Sequence, residues 1–293
     1  MNFETLFSPA KINLFLAITG PRSDGYHDLI SLVSQVGLGD EIDIAQTEEA
    51  GISFACDQSD LPSNESNLVV QALLLLQRKT KHAGGWSVCL RKRIPVGGGL
   101  GGGSSNAAIT LLAANRLLEY PLSKNQLSQM ASEIGSDCPF FLEKTACVLR
   151  GRGELTEIVD RSVQKRLQGR KIALFWPSWA ISTSWAYSNL ANFPQTFTSH
   201  PKAEASLSQW LEDGQPAEGV VSNDFEPSLT SRFPTFSILL DHVRRVLGMS
   251  CSISGSGSTC FALSSDDSML DDLEGEVRSC WGDEAGFVIT TLL

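Results

Sequence analysis

The chain contains, at residues 95–105, the stretch Pro95-Val96-Gly97-Gly98-Gly99-Leu100-Gly101-Gly102-Gly103-Ser104-Ser105, which we name the glycine-rich segment. Before it, Trp86–Ile94 alternates apolar and polar side chains as a strand does, and after it Ala107–Glu119 has the composition of a helix. Glycine tolerates positive φ and lets the backbone approach a ligand closely, so that consecutive N–H groups can surround an anion at a helix N-terminus. The segment therefore predicts a phosphate site.

Other glycine-rich patterns fit this segment less well. A flexible linker is also rich in Gly and Ser, but linkers separate domains, whereas strand and helix patterns here adjoin the segment directly. A Walker loop requires Lys after its last glycine, where Ser104 stands, and the protein-kinase H-R-D and D-F-G motifs are absent. The dinucleotide fingerprint matches at Gly97-x-Gly99-x-x-Gly102, but the acid that it needs is not at a strand end, because Glu119 lies in a predicted helix. A dinucleotide-binding oxidoreductase is thus the less favoured alternative.

Composition narrows the class of protein. The 293 residues carry a formal net charge of −10, which argues against a nucleic-acid partner because phosphate contacts need clustered Lys and Arg. The seven cysteines include no C-x-x-C pair, so neither a disulfide framework nor a zinc site is indicated. No apolar run is long enough to span a membrane, and no secretory leader is recognisable. We expect a cytoplasmic protein that is a monomer or weak dimer.

Predicted strands and helices alternate without a strict βαβ repeat, which indicates the α+β class. Ile12–Ile18 is a predicted strand, and the turn formers of Gly20–Tyr26 predict an exposed loop after it. Ser123 and Gln126 have the spacing of a capping box at the start of a helix. The stretch Arg161–Gly169 predicts a polar connection between two strands, at which we divide the chain into domains 1–160 and 161–293.

Several motifs together are similar to the GHMP kinases. The glycine-rich segment, followed by Asn106-Ala107-Ala108, resembles their ATP-binding signature. Ser8–Leu14 (SPAKINL) resembles their N-terminal motif, and Ser254–Thr259 (SGSGST) resembles the C-terminal glycine motif that lies near the phosphate loop. The resemblance implies a two-domain fold, with a ribosomal-protein-S5-like N-terminal domain and a ferredoxin-like α+β C-terminal domain.

A narrower similarity concerns three further stretches, which are GPRSDGYH at Gly20–His27, GSDCPFF at Gly135–Phe141 and SNDFE at Ser222–Glu226. They resemble the branch of the family that phosphorylates the 2-hydroxyl of 4-diphosphocytidyl-2-C-methyl-D-erythritol, a cytidine-diphosphate sugar alcohol of non-mevalonate isoprenoid biosynthesis. The resemblance implies ATP and Mg²⁺ as cosubstrate and metal, with the glycine-rich segment holding ATP. Ser104 or Ser105 is the candidate Mg²⁺ ligand, and Asn223–Glu226 is assigned a structural role between the domains.

The resemblance also implies catalytic roles. Asp137 corresponds to the catalytic base and Lys11 to its cationic partner, which would keep the carboxylate ionised. From the residues alone, Asp137 could instead cap the following helix, and Lys11 could be a solvated strand end. Asn13 is expected on the same strand face as Lys11, because side chains alternate along a strand.

The nucleobase end is predicted at Tyr26 and His27. An aromatic ring offers a stacking surface, and a neighbouring imidazole can bind the edge of a base. Without the resemblance, such a pair in a loop is more often a surface feature. The family places a second aromatic residue after a mid-chain strand, and either Trp179 or Trp185 could take that place.

Overall fold

The computed structural model describes residues 3–264, 266 and 268–293. Its strands are β1 Glu4–Pro21, β2 His27–Thr47, β3 Gly51–Cys56, β4 Gly85–Arg91, β5 Cys147–Arg150, β6 Leu155–Ile158, β7 Lys171–Trp176, β8 Ser222–Asn223, β9 Ser250–Ile253, β10 Cys260–Leu263 and β11 Gly286–Thr291. Its α-helices are α1 Leu68–Thr80, α2 Gly102–Leu117, α3 Lys124–Ile134, α4 Arg161–Leu167, α5 Thr183–Leu190, α6 His200–Asp213, α7 Glu226–Arg232, α8 Pro234–Arg245 and α9 Ser268–Trp281. Short 3₁₀ helices occupy Pro139–Leu142, Pro194–Thr196 and Ala217–Val220.

The chain forms two compact units, and the first consists of residues 3–10, Leu38–Pro95 and Gly101–Lys144. Within it, β4 pairs in parallel with β3 and antiparallel with the second half of β2. The apolar side chains of these strands, such as Ile42, Ile44 and Trp86, are buried. Helices α1, α2 and α3 pack against one another. This packing fixes α2, whose first turn contains the end of the glycine-rich segment.

The second unit consists of Lys11–Gly37, Val96–Leu100 and the described residues of 145–293. Within it, β8 pairs in parallel with β1, and β5 pairs antiparallel with β2 and with β6. A separate antiparallel sheet has the strand order β11-β7-β10-β9, and helices α8 and α9 pack on it. Strands β1 and β2 and the glycine-rich segment therefore contribute residues to both units.

Most of the predicted strands and helices are present, and the structure differs from the prediction in two details. Arg161–Leu167 is helix α4, within the stretch Arg161–Gly169 that was predicted only as a polar connection. The polar composition concealed two buried residues, Val163 and Leu167, that lie four positions apart on one helix face. Helix α2 begins at Gly102, five residues before the predicted start. The division into domains 1–160 and 161–293 stays a prediction.

Over residues 3–264, 266 and 268–293, no helix has both the length and the apolar character needed to cross a membrane.

The predicted capping box is confirmed at the start of α3. The Ser123 hydroxyl accepts the amide N–H of Gln126 at 3.4 Å, and the Ser123 amide donates to the Gln126 side chain at 2.9 Å.

We predict that Ser123→Ala lowers the free energy of unfolding by ~1 kcal/mol, the typical contribution of an N-cap. Urea denaturation followed by circular dichroism measures it. Ser279→Ala, at an exposed position within α9, is the matched control and should leave stability within ~0.5 kcal/mol. Equal effects of the two substitutions would contradict the capping role.

Candidate active site

The backbone of the glycine-rich segment has the conformation that glycine favours. Gly97, Gly99 and Gly101 have φ angles of 71°, 76° and 67°. Helix α2 begins at Gly102, so the N–H groups of its first turn, which lack partners within the helix, belong to the segment. The segment thus combines left-handed glycines with a helix N-terminus, a backbone arrangement that binds phosphate.

The C-terminal glycine motif contacts the first half of the segment within the second unit. A Cβ on Gly99 would lie 2.2 Å from the carbonyl oxygen of Ser254, so only glycine fits there. The Thr259 amide donates to the Gly98 carbonyl at 3.0 Å, and the Ser254 hydroxyl donates to the Gly99 carbonyl at 3.2 Å. The expected proximity of the two glycine-containing stretches is therefore confirmed.

Lys11 lies in the same unit, next to this contact. Its backbone amide donates to the Leu100 carbonyl at 3.0 Å, and its Nζ donates to Asn13 Oδ1 at 2.7 Å. Asn13 Nδ2 in turn donates to the Ser31 hydroxyl at 2.8 Å. Lys11 and Asn13 are 6% and 5% exposed, so Lys11 is not a solvated strand end. The two side chains lie on one face of β1, as strand alternation predicts.

Gly255 brings the C-terminal motif to the Lys11 ammonium. A Cβ on Gly255 would lie 3.4 Å from Lys11 Nζ, 3.4 Å from Asn13 Oδ1 and 3.2 Å from the Gly99 carbonyl. Its φ of 56° is also in the left-handed region. Lys11, Asn13, Gly99 and Gly255 thus converge within a few ångströms in one unit.

In the first unit, a buried polar network adjoins the second half of the segment. The hydroxyls of Ser105 and Ser8 lie 2.8 Å apart, and Asn106 Nδ2 donates to Ser8 at 2.9 Å. Asn106 Nδ2 also donates to Asp40 Oδ2 at 2.9 Å, and Lys92 forms an ion pair with the same carboxylate. Since Ser105 is fully buried in this network, its hydroxyl stabilises the start of α2.

Asp40 is fully buried and receives further donors. The amides of Arg93 and Ile94 donate to its Oδ1 at 2.7 and 2.8 Å. A buried carboxylate is tolerated only when it is paired and hydrogen-bonded, and Asp40 meets both conditions. It ties the end of β4 to the first turn of α2, where the segment ends.

Asp137 lies in the turn between α3 and the 3₁₀ helix Pro139–Leu142 and is half-buried. The 3₁₀ helix begins at Pro139, and the residue before it, Cys138, already has helical backbone angles. Burial raises the pKa of the Cys138 thiol to about 12, while a hydrogen bond from Ser104 acts in the opposite direction. The thiol is therefore neutral and not a nucleophile. A Cβ on Gly135 would lie 3.3 Å from Cys138 Sγ and 3.8 Å from the Ser104 hydroxyl oxygen, so the Asp137 turn lies beside the first turn of α2 within the first unit.

An aromatic cluster surrounds His27 in the second unit. Its ring centroid lies 5.3 Å from that of Tyr187 and 5.9 Å from that of Phe197. Tyr26 is 53% exposed, with the Arg152 guanidinium 4.8 Å from its ring centroid. Burial lowers the pKa of His27, so its imidazole is neutral at neutral pH.

The two tryptophans that the sequence suggested for the second ring belong to a different aromatic contact of the second unit. Trp179 and Trp185 pack on Phe233 at 4.9 and 5.5 Å, whereas Tyr187 and Phe197 contact His27. Sequence analysis missed Tyr187 and Phe197. The available signal was that Tyr187 lies two residues after Trp185, in the region predicted to provide the second ring.

Within residues 3–264, 266 and 268–293, no group of three or more His, Cys, Asp or Glu residues could hold a metal ion. The sequence predicted Ser104 or Ser105 as the Mg²⁺ ligand. Of the two candidate ligands, Ser105 is engaged with Ser8, and Ser104 is half-buried.

Comparisons with known proteins show which family the chain is similar to. A family model described as the GHMP kinases N terminal domain matches residues 67–144. The 4-diphosphocytidyl-2-C-methyl-D-erythritol kinase of Citrifermentans bemidjiense is 33% identical over 278 residues, covering 94% of this chain and 95% of that protein. The chloroplastic enzyme of the same name from Mentha piperita is 36% identical over 289 residues, covering 97% of this chain and 70% of that protein.

Solved structures support the fold. A crystal structure of 4-(cytidine 5'-diphospho)-2C-methyl-D-erythritol kinase superposes with a TM-score of 0.78 at 29% identity, covering 98% of this chain and 99% of that one. A homoserine kinase from Cytophaga hutchinsonii shares the fold, with a TM-score of 0.74 at 17% identity over 100% of this chain and 95% of that one. The predicted α+β class and GHMP-kinase fold are thereby confirmed. The chain belongs to the 4-diphosphocytidyl-2-C-methyl-D-erythritol kinase family of the GHMP kinases.

Proposed function

We propose that this kinase transfers the γ-phosphoryl group of ATP to the 2-hydroxyl of 4-diphosphocytidyl-2-C-methyl-D-erythritol, a step of non-mevalonate isoprenoid biosynthesis. The observation that carries the proposal is the set of neighbours of the glycine-rich segment. Lys11 and Asn13 lie against its first half in the second unit, and the Asp137 turn lies beside its second half in the first unit. Family membership adds the identity of the acceptor.

The glycine-rich segment is proposed to hold the ATP phosphates through backbone N–H groups and the N-terminus of α2. Ser104 is the better candidate for a Mg²⁺ ligand, because it is only half-buried, whereas Ser105 is fully buried against Ser8. When bound, Mg²⁺ neutralises the charge that develops on the transferred phosphoryl group. The buried network of Asp40 and Lys92 keeps the helix start rigid, so the N–H groups are oriented before ATP arrives.

Asp137 is proposed as the base. It takes the proton of the 2-hydroxyl as the oxygen bonds to the γ-phosphorus, and ADP leaves with the bonding electrons. Lys11 is proposed to assist by favouring the developing alkoxide. The support for Lys11 is its burial and its convergence with Asn13 and Gly255 beside the glycine-rich segment.

The cytidine is proposed to stack on the aromatic cluster around Tyr26 and His27. Tyr26 is exposed and can offer its ring, and the neutral His27 imidazole has one nitrogen for a base edge. Tyr187 joins this cluster in the place that the sequence left open between Trp179 and Trp185. The cytoplasmic location and the monomeric or weakly dimeric state stay predictions.

An assay with ATP and Mg²⁺ across several acceptors tests the function. We expect turnover with 4-diphosphocytidyl-2-C-methyl-D-erythritol and none with mevalonate or homoserine, because an aromatic nucleobase site has no use for those small acids. ADP release and the mass of the phosphorylated product are the measurements. Turnover restricted to mevalonate or homoserine would contradict the proposed acceptor.

For the base, we predict that Asp137→Asn lowers kcat at least ~10²-fold, the scale of general-base contributions. The amide keeps the size of the carboxylate but cannot take the proton. Steady-state kinetics measure the change, and Glu133→Gln, at an exposed position of α3, is the control that should leave kcat unchanged. If Asp137→Asn kept a near-normal kcat, Asp137 would not be the base.

For the nucleobase, we predict that Tyr26→Ala raises the KM for the cytidine substrate roughly tenfold, as expected for one lost base–aromatic contact. The KM for ATP should change little, because Tyr26 is not part of the proposed phosphate site. Tyr120→Ala, which removes a tyrosine that is 67% exposed in the first unit, is the control. Equal increases of both KM values in Tyr26→Ala would reject the stacking role.

A further inference from the structure

The segment Asn223-Asp224-Phe225 has no part in the proposed chemistry. Within the second unit, however, its side chains contact residues next to the proposed phosphate end and residues next to the proposed nucleobase end. Strand β8 aligns it against β1, since Ser222 pairs with Phe15 and the Asp224 amide donates to the Leu16 carbonyl at 3.0 Å. This register puts the three residues beside the part of β1 that follows Lys11 and Asn13.

Asn223 holds the C-terminal glycine motif. Its Nδ2 donates to the carbonyls of Ile253 and Gly255 at 2.7 and 2.8 Å, and its Oδ1 accepts the Phe225 amide at 2.9 Å. Every donor of this buried side chain is therefore used. Since Gly255 lies against Lys11 Nζ and the Gly99 carbonyl, Asn223 determines where the motif meets the phosphate end.

Asp224 holds the segment that carries Phe197. Its Oδ2 accepts the amides of Ile18 and Thr198 at 2.9 and 3.2 Å, and its Oδ1 accepts the Thr198 hydroxyl at 3.2 Å. Burial raises the pKa of Asp224, and these hydrogen bonds act in the opposite direction. Phe197, adjacent to Thr198, is one of the two rings that contact His27.

Phe225 holds the other ring. It is 1% exposed, and its ring meets that of Tyr187 edge to face, with centroids 4.8 Å apart and planes at 90°. Tyr187 packs against His27. Asp224 and Phe225 thus each support one of the rings of the aromatic cluster.

We propose that Asn223-Asp224-Phe225 is a positioning segment whose neighbouring side chains control the two ends of the site separately. Asn223 sets the Gly255 loop at the phosphate end, and Asp224 with Phe225 sets the rings at the nucleobase end. This inference deepens the proposed function and rests on it. The three residues act through other residues, so they are positioning residues rather than catalytic ones.

The test compares two adjacent substitutions. Asp224→Ala should raise the KM for the cytidine substrate roughly tenfold and leave the KM for ATP within about twofold, the scale of one lost stacking contact. Asn223→Ala should have the opposite pattern, with a lower kcat and a higher KM for ATP but a nearly unchanged KM for the cytidine substrate. Asp224→Asn should restore the wild-type KM, because its amide oxygen can accept both N–H groups and its NH₂ can donate to the Thr198 hydroxyl.

A matched control separates positioning from stability. Asn115 is 3% exposed and bonds the backbone of Leu122 through both side-chain atoms, at the end of α2 far along the helix from the glycine-rich segment. Asn115→Ala should lower the melting temperature without changing either KM selectively. The positioning role is wrong if Asn223→Ala and Asp224→Ala behave like this control. In that case the KM for ATP and the KM for the cytidine substrate would change together or not at all.

Thr198→Val provides a milder variant if Asp224→Ala does not fold. It removes only the hydroxyl that donates to Asp224 and should raise the KM for the cytidine substrate by a smaller factor. The role of Asp224 is overturned if a folded Thr198→Val keeps the wild-type KM and Asp224→Ala either keeps it too or does not fold.

Calorimetry without ATP distinguishes the two proposals. Titration of 4-diphosphocytidyl-2-C-methyl-D-erythritol into the unsubstituted protein should show binding that Asp224→Ala weakens roughly tenfold and Asn223→Ala leaves unchanged. No binding to the unsubstituted protein would reject the proposed function itself. Binding that is equal in the unsubstituted protein and Asp224→Ala would reject the positioning segment and leave the proposed function intact.

Discussion

At Gly99 the backbone of the glycine-rich segment passes so close to the carbonyl of Ser254 that any Cβ would lie 2.2 Å from its oxygen. This contact depends on the absence of a side chain, and other features of the second unit depend on it. The Gly98 and Gly99 carbonyls accept hydrogen bonds from the C-terminal motif, and Gly255 reaches Lys11 and Asn13. Glycine is thus required here for proximity as well as for positive φ.

The first unit stabilises the other half of the segment in a different way. There the helix start is bonded to buried polar groups, with Asp40 accepting N–H groups from Lys92, Arg93, Ile94 and Asn106. Removing one partner from such a network leaves a buried charge or dipole unsatisfied, which is costly. The network therefore favours a single geometry for the first turn of α2, and a rigid set of N–H donors suits a reaction that depends on positioning.

The proposed nucleobase end depends on aromatic packing. His27 contacts two rings, and each ring is supported by a neighbour in the chain segment after β8. Burial also lowers the pKa of His27, which keeps the imidazole neutral so that it packs with rings without the cost of a buried charge. The side chains of residues 223–225 are adjacent in the chain. The first contacts the C-terminal glycine motif, and the next two contact the neighbours of His27.

Local patterns were enough to predict much of this protein. Six glycines between a strand and a helix predicted the phosphate site, the capping box at Ser123 and Gln126 was visible, and the motifs identified the family. Such features depend on backbone conformation and on residues close in the chain, which the sequence by itself determines. The partners of His27 and Asn223 were decided by the tertiary structure, because residues such as 27, 187 and 197 meet only after long-range packing. The tertiary structure also decided α4, since two residues at helical spacing are buried in a stretch predicted only as a polar connection.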